Sequence, residues 1–190
     1  MRTVRSLAAL VLSIAVLGLS TGAQDMAKKE APKPAPSATQ AVLDQWNDIA
    51  RKINAMAEDF PEDKYDFKAA ATSQTFAQRL IHAGHANQFF INAVAGGKTP
   101  GMDDPKREEF KSKADVVAFV KKSFADGEAA IKAKGDKGMS ELVVDPFSNT
   151  KTRISDFAYG FVEHSGEIYG QLTVYYRVAG MVPPESRPKK

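Results

Sequence analysis

After residue 37 the apolar residues recur at intervals of three and four, in four separate stretches closed by Gly or Pro. Val42, Leu43, Trp46, Ile49, Ala50, Ile53, Met56 and Ala57 trace one face of a first helix that starts near Ala38 under a Ser37 cap and is closed by Pro61. A second runs from about Ser73 to Val94, with Phe76, Leu80, Ala83, Asn87, Phe90 and Val94 along one side and Gly96-Gly97 at its end. A third spans about Lys113 to Lys134 on the stripe Val116, Val117, Val120, Phe124 and Ile131, with Gly135 ending it. The fourth extends from about Lys151 to Ala179, before Gly180 and Pro183-Pro184. Between them, 61–72 reads as an ordered connection whose Tyr65 and Phe67 pack back on the helices, and 98–111 as a loop. Leu142-Val143-Val144 reads as a short extended piece that Asp145-Pro146 interrupts. With no alternating strand runs, this pattern specifies an all-α protein, a helical bundle.

The residues ahead of the first helix follow a different pattern. Arg2 and Arg5 precede an apolar run from Leu7 to Leu19, and small residues at Thr21 and Ala23 suit the positions before a cleavage site. The run is shorter than the roughly 20 residues of a membrane-spanning helix. We therefore expect a signal peptide over 1–23, export to the periplasm or medium, and no stable membrane span after cleavage. Residues 24–37, rich in Lys, Ala and Pro, read as a flexible linker. The domain is expected over 38–186, with a basic tail at 187–190.

Composition narrows the chemistry. The 190 residues carry 26 Lys plus Arg against 23 Asp plus Glu, a net charge of +3. The excess lies in the leader, linker and tail and leaves the domain mildly acidic, which argues against a nucleic-acid partner. Cysteine is absent, so disulfides, thiolate nucleophiles and cysteine-based metal sites are excluded. There is no Gly-x-Ser-x-Gly, HExxH or phosphate-binding loop, and the acidic pairs Glu62-Asp63, Asp103-Asp104 and Glu108-Glu109 fall in predicted loops or helix ends and read as solvated. The aromatic stripe of the last helix (Phe157, Phe161, Tyr175 and Tyr176) reads as core or dimer contact.

Three histidines remain, His82 and His85 on the second predicted helix and His164 on the fourth. Bundle cores build metal sites from such inward-facing side chains. Neutral imidazoles converging from two helices, with other positions left to water or substrate, are what such a site needs.

Three segments together resemble the DinB-like superfamily: Ala57 to Phe67 (AEDFPEDKYDF), Phe76 to His82 (FAQRLIH), and Glu163 to Leu172 (EHSGEIYGQL) followed by Tyr175, Arg177, Gly180 and Pro183 to Ser186. The resemblance covers about 42–187. It implies an antiparallel four-helix bundle, often a homodimer, that holds a divalent metal (Zn, Ni or Fe) through one His on the second helix and a His-x-x-x-His pair on the fourth. On this chain the first ligand falls on His82 and the second on His164, while the third position is occupied by Ile168. A pair at i and i+4 shares one helix face, so a branched hydrocarbon stands where the resemblance expects an imidazole.

Two readings follow. In one, Glu167 or His85 supplies the missing ligand, and the protein is a metal-dependent enzyme of the transferase or hydrolase type. In the other the divalent-metal site is degenerate, Ile168 fills the space, and His82 and His164 bond to each other or to nearby hydroxyls. The protein then binds a small molecule or a partner in the bundle pocket without strong metal-dependent catalysis. Gln171 and Tyr175, with Tyr169, are the polar pocket residues expected along the fourth helix.

Overall fold

The computed structural model describes residues 32–188, so the expected leader and most of the linker lie outside the described residues. The chain divides into two units at Pro34–Ala35. Of the first, only 32–34 are described, without regular structure. The second consists of α1 (Ala38–Asp59), α2 (Phe76–Ala95), α3 (Lys113–Gly138) and α4 (Ile154–Val178). A short antiparallel hairpin, β1 (Leu142–Val144) and β2 (Lys151–Arg153), connects α3 to α4. Among the described residues no helix is long and apolar enough to cross a membrane.

Local chemistry sets the boundaries. The Ser37 side chain caps α1 by accepting from Gln40 N–H, and Thr75 with Gln78 forms a reciprocal capping box at α2. Ser73, predicted to open α2, belongs instead to the preceding turn, where its hydroxyl donates to Ala70 O at 2.8 Å. Gly96 closes α2 at φ 70° and Gly135 breaks α3 at φ 61°, both in the left-handed region that glycine enters without a Cβ clash.

The largest departure from the sequence reading is the hairpin. Lys151–Arg153, predicted as the first turn of α4, pairs with Leu142–Val144, with Leu142 opposite Arg153 and Val144 opposite Lys151. Leu142–Val144 is extended as read, and Asp145-Pro146 ends the strand and opens the connecting loop. The Asp145 carboxylate accepts from Phe147 N–H at 2.8 Å and from the Ser148 hydroxyl at 2.6 Å, a side-chain turn that aspartate forms readily.

Helix contacts fix the order around the core. α1 and α2 lie across the bundle from each other, and each is flanked by α3 and α4. Thr39 meets Asp136 while Lys121 pairs with Glu58, so α1 and α3 are antiparallel. Phe76 beside Tyr175 and Phe90 beside Phe157 make α2 and α4 antiparallel as well. The other two neighbouring pairs run parallel: α1 and α4 converge where Tyr176 donates to Met56 O, and α2 follows α3 from Gly84 beside Phe119 to Asn87 bonded to Ser123. Trp46 sits at one core centre between Phe90 and Phe124, its Nε1 donating to Phe124 O at 2.9 Å. Phe60, Phe76 and Tyr176 form the other. The 61–72 connection packs back as expected: Tyr65 is buried, with its hydroxyl bonded to Ala57 O, and Phe67 meets Tyr175.

Arg187, placed in the basic tail by the sequence reading, is part of the fold. Its guanidinium donates to both oxygens of Asp59 at 2.7 and 2.5 Å, and Tyr176 adds a bond to the same carboxylate at 3.1 Å. The Arg187 bonds do most to hold the Asp59 carboxyl below its ordinary value of 3.8, against the opposing effect of partial burial, and Tyr176 assists. A carboxyl depressed on folding favours the folded state above its unfolded pKa, and that contribution is lost as pH falls through the folded one. Arg187→Ala should therefore lower the melting temperature modestly at neutral pH, and the two proteins should converge in acid. Parallel thermal melts from neutrality into strong acid test this, and a gap that stays constant with pH would sink the assignment.

Candidate functional site

A cavity of about 470 Å³ opens between the middle of α2, the N-terminal half of α4, the α2–α3 connection and the hairpin. Helical spacing brings its walls together. His82, His85, Ala86 and Phe89 lie on one face of α2, and Phe157, Gly160, Phe161 and His164 on the facing side of α4. The connection contributes Met102 and Asp104, and the hairpin contributes Asp145, Phe147 and Thr152. Phe147 packs against Phe89 at 5.0 Å and reaches Phe161 at 6.4 Å, closing one side with aromatic rings. At Gly160 an added Cβ would meet no atom within 4 Å, so the missing side chain is part of the open space.

The polar end of the cavity is a chain of three groups. His82 Nδ1 stands 2.9 and 3.0 Å from the two oxygens of Asp104. The carboxylate accepts from Nδ1–H, which fixes the His82 tautomer and turns Nε2 toward α4. There it lies 3.1 Å from His164 Nε2, so one proton is shared between the two rings. Partial burial first, then the nearby His82, pulls His164 below its usual value, with Glu167 and Glu163 opposing. A neutral His164 completes the bond either by donating to a neutral His82 or by accepting from a protonated one.

The residues expected to complete a metal set are placed otherwise. Glu167 approaches His164 at Nδ1, 3.6 Å away and on the ring edge opposite the shared one, and its side chain is 59% exposed. His85 Nε2 is 2.9 Å from Gly101 O and its ring packs on Phe89. Ile168 is 1% exposed within the core, one turn beyond His164 on the same helix face. The 3.1 Å between the two Nε2 atoms falls within the roughly 2.9–3.4 Å expected of two nitrogens about 2.0–2.1 Å from one ion. A third donor is lacking: among the described residues no group of three or more His, Cys, Asp or Glu side chains converges as a metal set.

Gln171 and Tyr175 do not line the cavity. Gln171 is exposed, and Tyr175 is buried among Phe67 and Phe76 with its hydroxyl donating to Gln74 O. Seven residues of helix advance about 10 Å, which carries this face past the cavity. Asp104, read as solvated, is the residue the sequence reading missed, together with the hairpin's Phe147. Phe157 and Phe161, read as core, serve the core and line the cavity as well.

The family model of the DinB superfamily matches residues 45–172. A search of curated proteins found none that matches. Among solved structures, a DinB-like protein from Bacillus cereus ATCC 10987 superposes with a TM-score of 0.63 at 19% identity, over 76% of this chain and 95% of its own. The DinB-like protein YjoA from Bacillus subtilis gives 0.60 at 17% identity, over 78% and 99%. YfiT from Bacillus subtilis, described as a probable metal-dependent hydrolase with an unusual four-helix bundle topology, gives 0.57 at 14% identity, over 79% and 93%. At these identities the likeness is one of fold.

Proposed function

The chain belongs to the DinB superfamily, and on that premise we propose that it is a binding protein that takes a small molecule in the cavity between α2, α4 and the hairpin. Its divalent-metal position is degenerate and does not support strong metal-dependent catalysis. The observation that carries this reading is the buried Ile168 beside a His82–His164 pair whose two Nε2 atoms bond to each other. Two imidazoles and a hydrocarbon make a poor chelate, since a structural zinc takes four protein ligands and a catalytic zinc commonly three. Titration of the full chain with Zn²⁺ and Ni²⁺ by calorimetry should give dissociation constants weaker than about 10 μM. One metal per chain held below about 1 μM would overturn the reading.

That second outcome would favour a metal-dependent enzyme of the kind described for YfiT. The observation on its side is the separation of the two Nε2 atoms, which suits neighbouring ligands on one ion.

The N-terminal pattern supports export as part of the proposal. Expressed with a C-terminal tag in a bacterial host, the protein should leave the cytoplasm and give an N-terminal sequence beginning at Gln24. Recovery from the cytoplasm with Met1 retained would refute this.

A further inference from the structure

Charge and ring chemistry around the cavity select among ligands. Among the described residues three carboxylates, Asp104, Asp145 and Asp156, line it, and no Lys or Arg does. The guanidinium nearest in sequence, that of Arg153, is already paired with Asp156 at 2.8 Å. Burial pushes the Asp145 carboxyl up, but bonds from the Ser148 hydroxyl and from the Phe147 and Ser148 backbone N–H groups outweigh it and hold the group below its ordinary value, so it remains ionised.

Facing this acidic rim are aromatic rings: Phe147 packs on Phe89 at 5.0 Å, and Phe157 meets Phe161 edge-on at the same distance. Ring faces attract cations, and carboxylates in a partly dry cleft attract them more strongly than in water. The same cleft disfavours anions, which would find no Lys or Arg among the described lining residues to pair with. The volume of about 470 Å³ suits a small organic molecule. Met102 and Phe147, 72% and 55% exposed at the mouth, give an apolar body something to cover.

We infer that the ligand of this cavity is an organic cation, a protonated or quaternary amine carried on an apolar or aromatic body. The inference rests on the reading of the cavity as a ligand site and adds the chemical class. The ammonium group sits between the carboxylates and the ring faces, while the apolar body packs along Phe157 and Phe161 where Gly160 leaves room.

Phenethylamine, phenethyl alcohol and phenylacetate share a body and differ in charge, and can be titrated into the full chain with chemical shifts or calorimetry as readout. The amine should bind roughly tenfold more tightly than the alcohol, in line with an ion–ring contact in a partly dry site, and phenylacetate more weakly than either. A Cβ at Gly160, on the cavity wall, would meet nothing within 4 Å, and the larger side chain of Gly160→Leu should occupy the space and abolish binding of all three. Asp156→Asn should cut the preference for the amine several-fold while leaving the alcohol unchanged.

If the alcohol matches the amine, or phenylacetate binds best, the cation inference fails and the cavity reading stands. If none of the three binds, or binding survives Gly160→Leu, both fail.

Discussion

Replacing Ile168 with histidine should sharply raise the affinity for Zn²⁺ or Ni²⁺ over that of wild type. His164 and a histidine at 168 would stand one turn apart on the same face of α4. His82 is already oriented by Asp104 at 2.9 Å, with its Nε2 beside that of His164. Disturbing a supporting bond to a ligand commonly costs about 10 to 100-fold in metal affinity, so restoring a whole imidazole should gain at least 100-fold for Zn²⁺ or Ni²⁺. Without metal the variant should be less stable than wild type, because an imidazole replaces a side chain that is 1% exposed in the core. Saturating zinc should then raise its melting temperature far more than that of wild type, since a ligand that binds only the folded state stabilises it. Calorimetry measures the affinity, paired melts measure the linkage, and circular dichroism checks that the variant folds. A folded Ile168→His protein that binds no more tightly than wild type would show that position 168 does not face the histidine pair.

Gly127→Ala should be the most damaging single methyl group in the domain. A Cβ at 127 would lie 2.0 Å from Trp46 Cζ2 and within 2.8 Å of two further atoms of that ring. The indole cannot retreat, since it is 1% exposed, bonded through Nε1 to Phe124 O, and bracketed by Phe90 and Phe124. Overpacking a filled core costs about 1–3 kcal/mol and sometimes more. With so close an approach the upper part of that range is expected, a fall in melting temperature of roughly 10 °C for a domain of this size. Gly170→Ala is the control: its Cβ meets nothing within 4 Å, and alanine should stabilise the helix by about 0.5–1 kcal/mol. Combining Gly127→Ala with Trp46→Phe, which removes the offending ring atoms, should recover part of the loss. Equal melting temperatures for wild type and Gly127→Ala would contradict the packing described for Trp46.

The helices were legible because each carries an apolar stripe at helical spacing together with a side-chain cap such as Ser37, a glycine stop such as Gly96 or Gly180, or both. The hairpin was not. Lys151-Thr152-Arg153 is short and polar and continues into a helical pattern, and strand identity there comes from pairing with Leu142–Val144. Asp104 was unreadable for a related reason, since its role depends on a connection folding back 22 residues to meet His82. His82 and His164 were both recognisable as candidates, and the structure brings them together. The expected pocket residues Gln171 and Tyr175 show where periodicity misleads: it reports the face of a helix but not how far along that face a cavity extends.

The placement of α1 and α2 on opposite sides of the core bears on how the chain can fold. Of the consecutive helices α2 and α3 pack together, while α1 must find α3 and α4 across long stretches of chain and α2 must find α4, as where His82 meets His164, 82 residues apart. Such topology raises contact order, which slows folding relative to a bundle of consecutive helical hairpins. It also ties the cavity to completion of the fold: the cavity acquires its second wall only when α4, the last long helix, docks against α2.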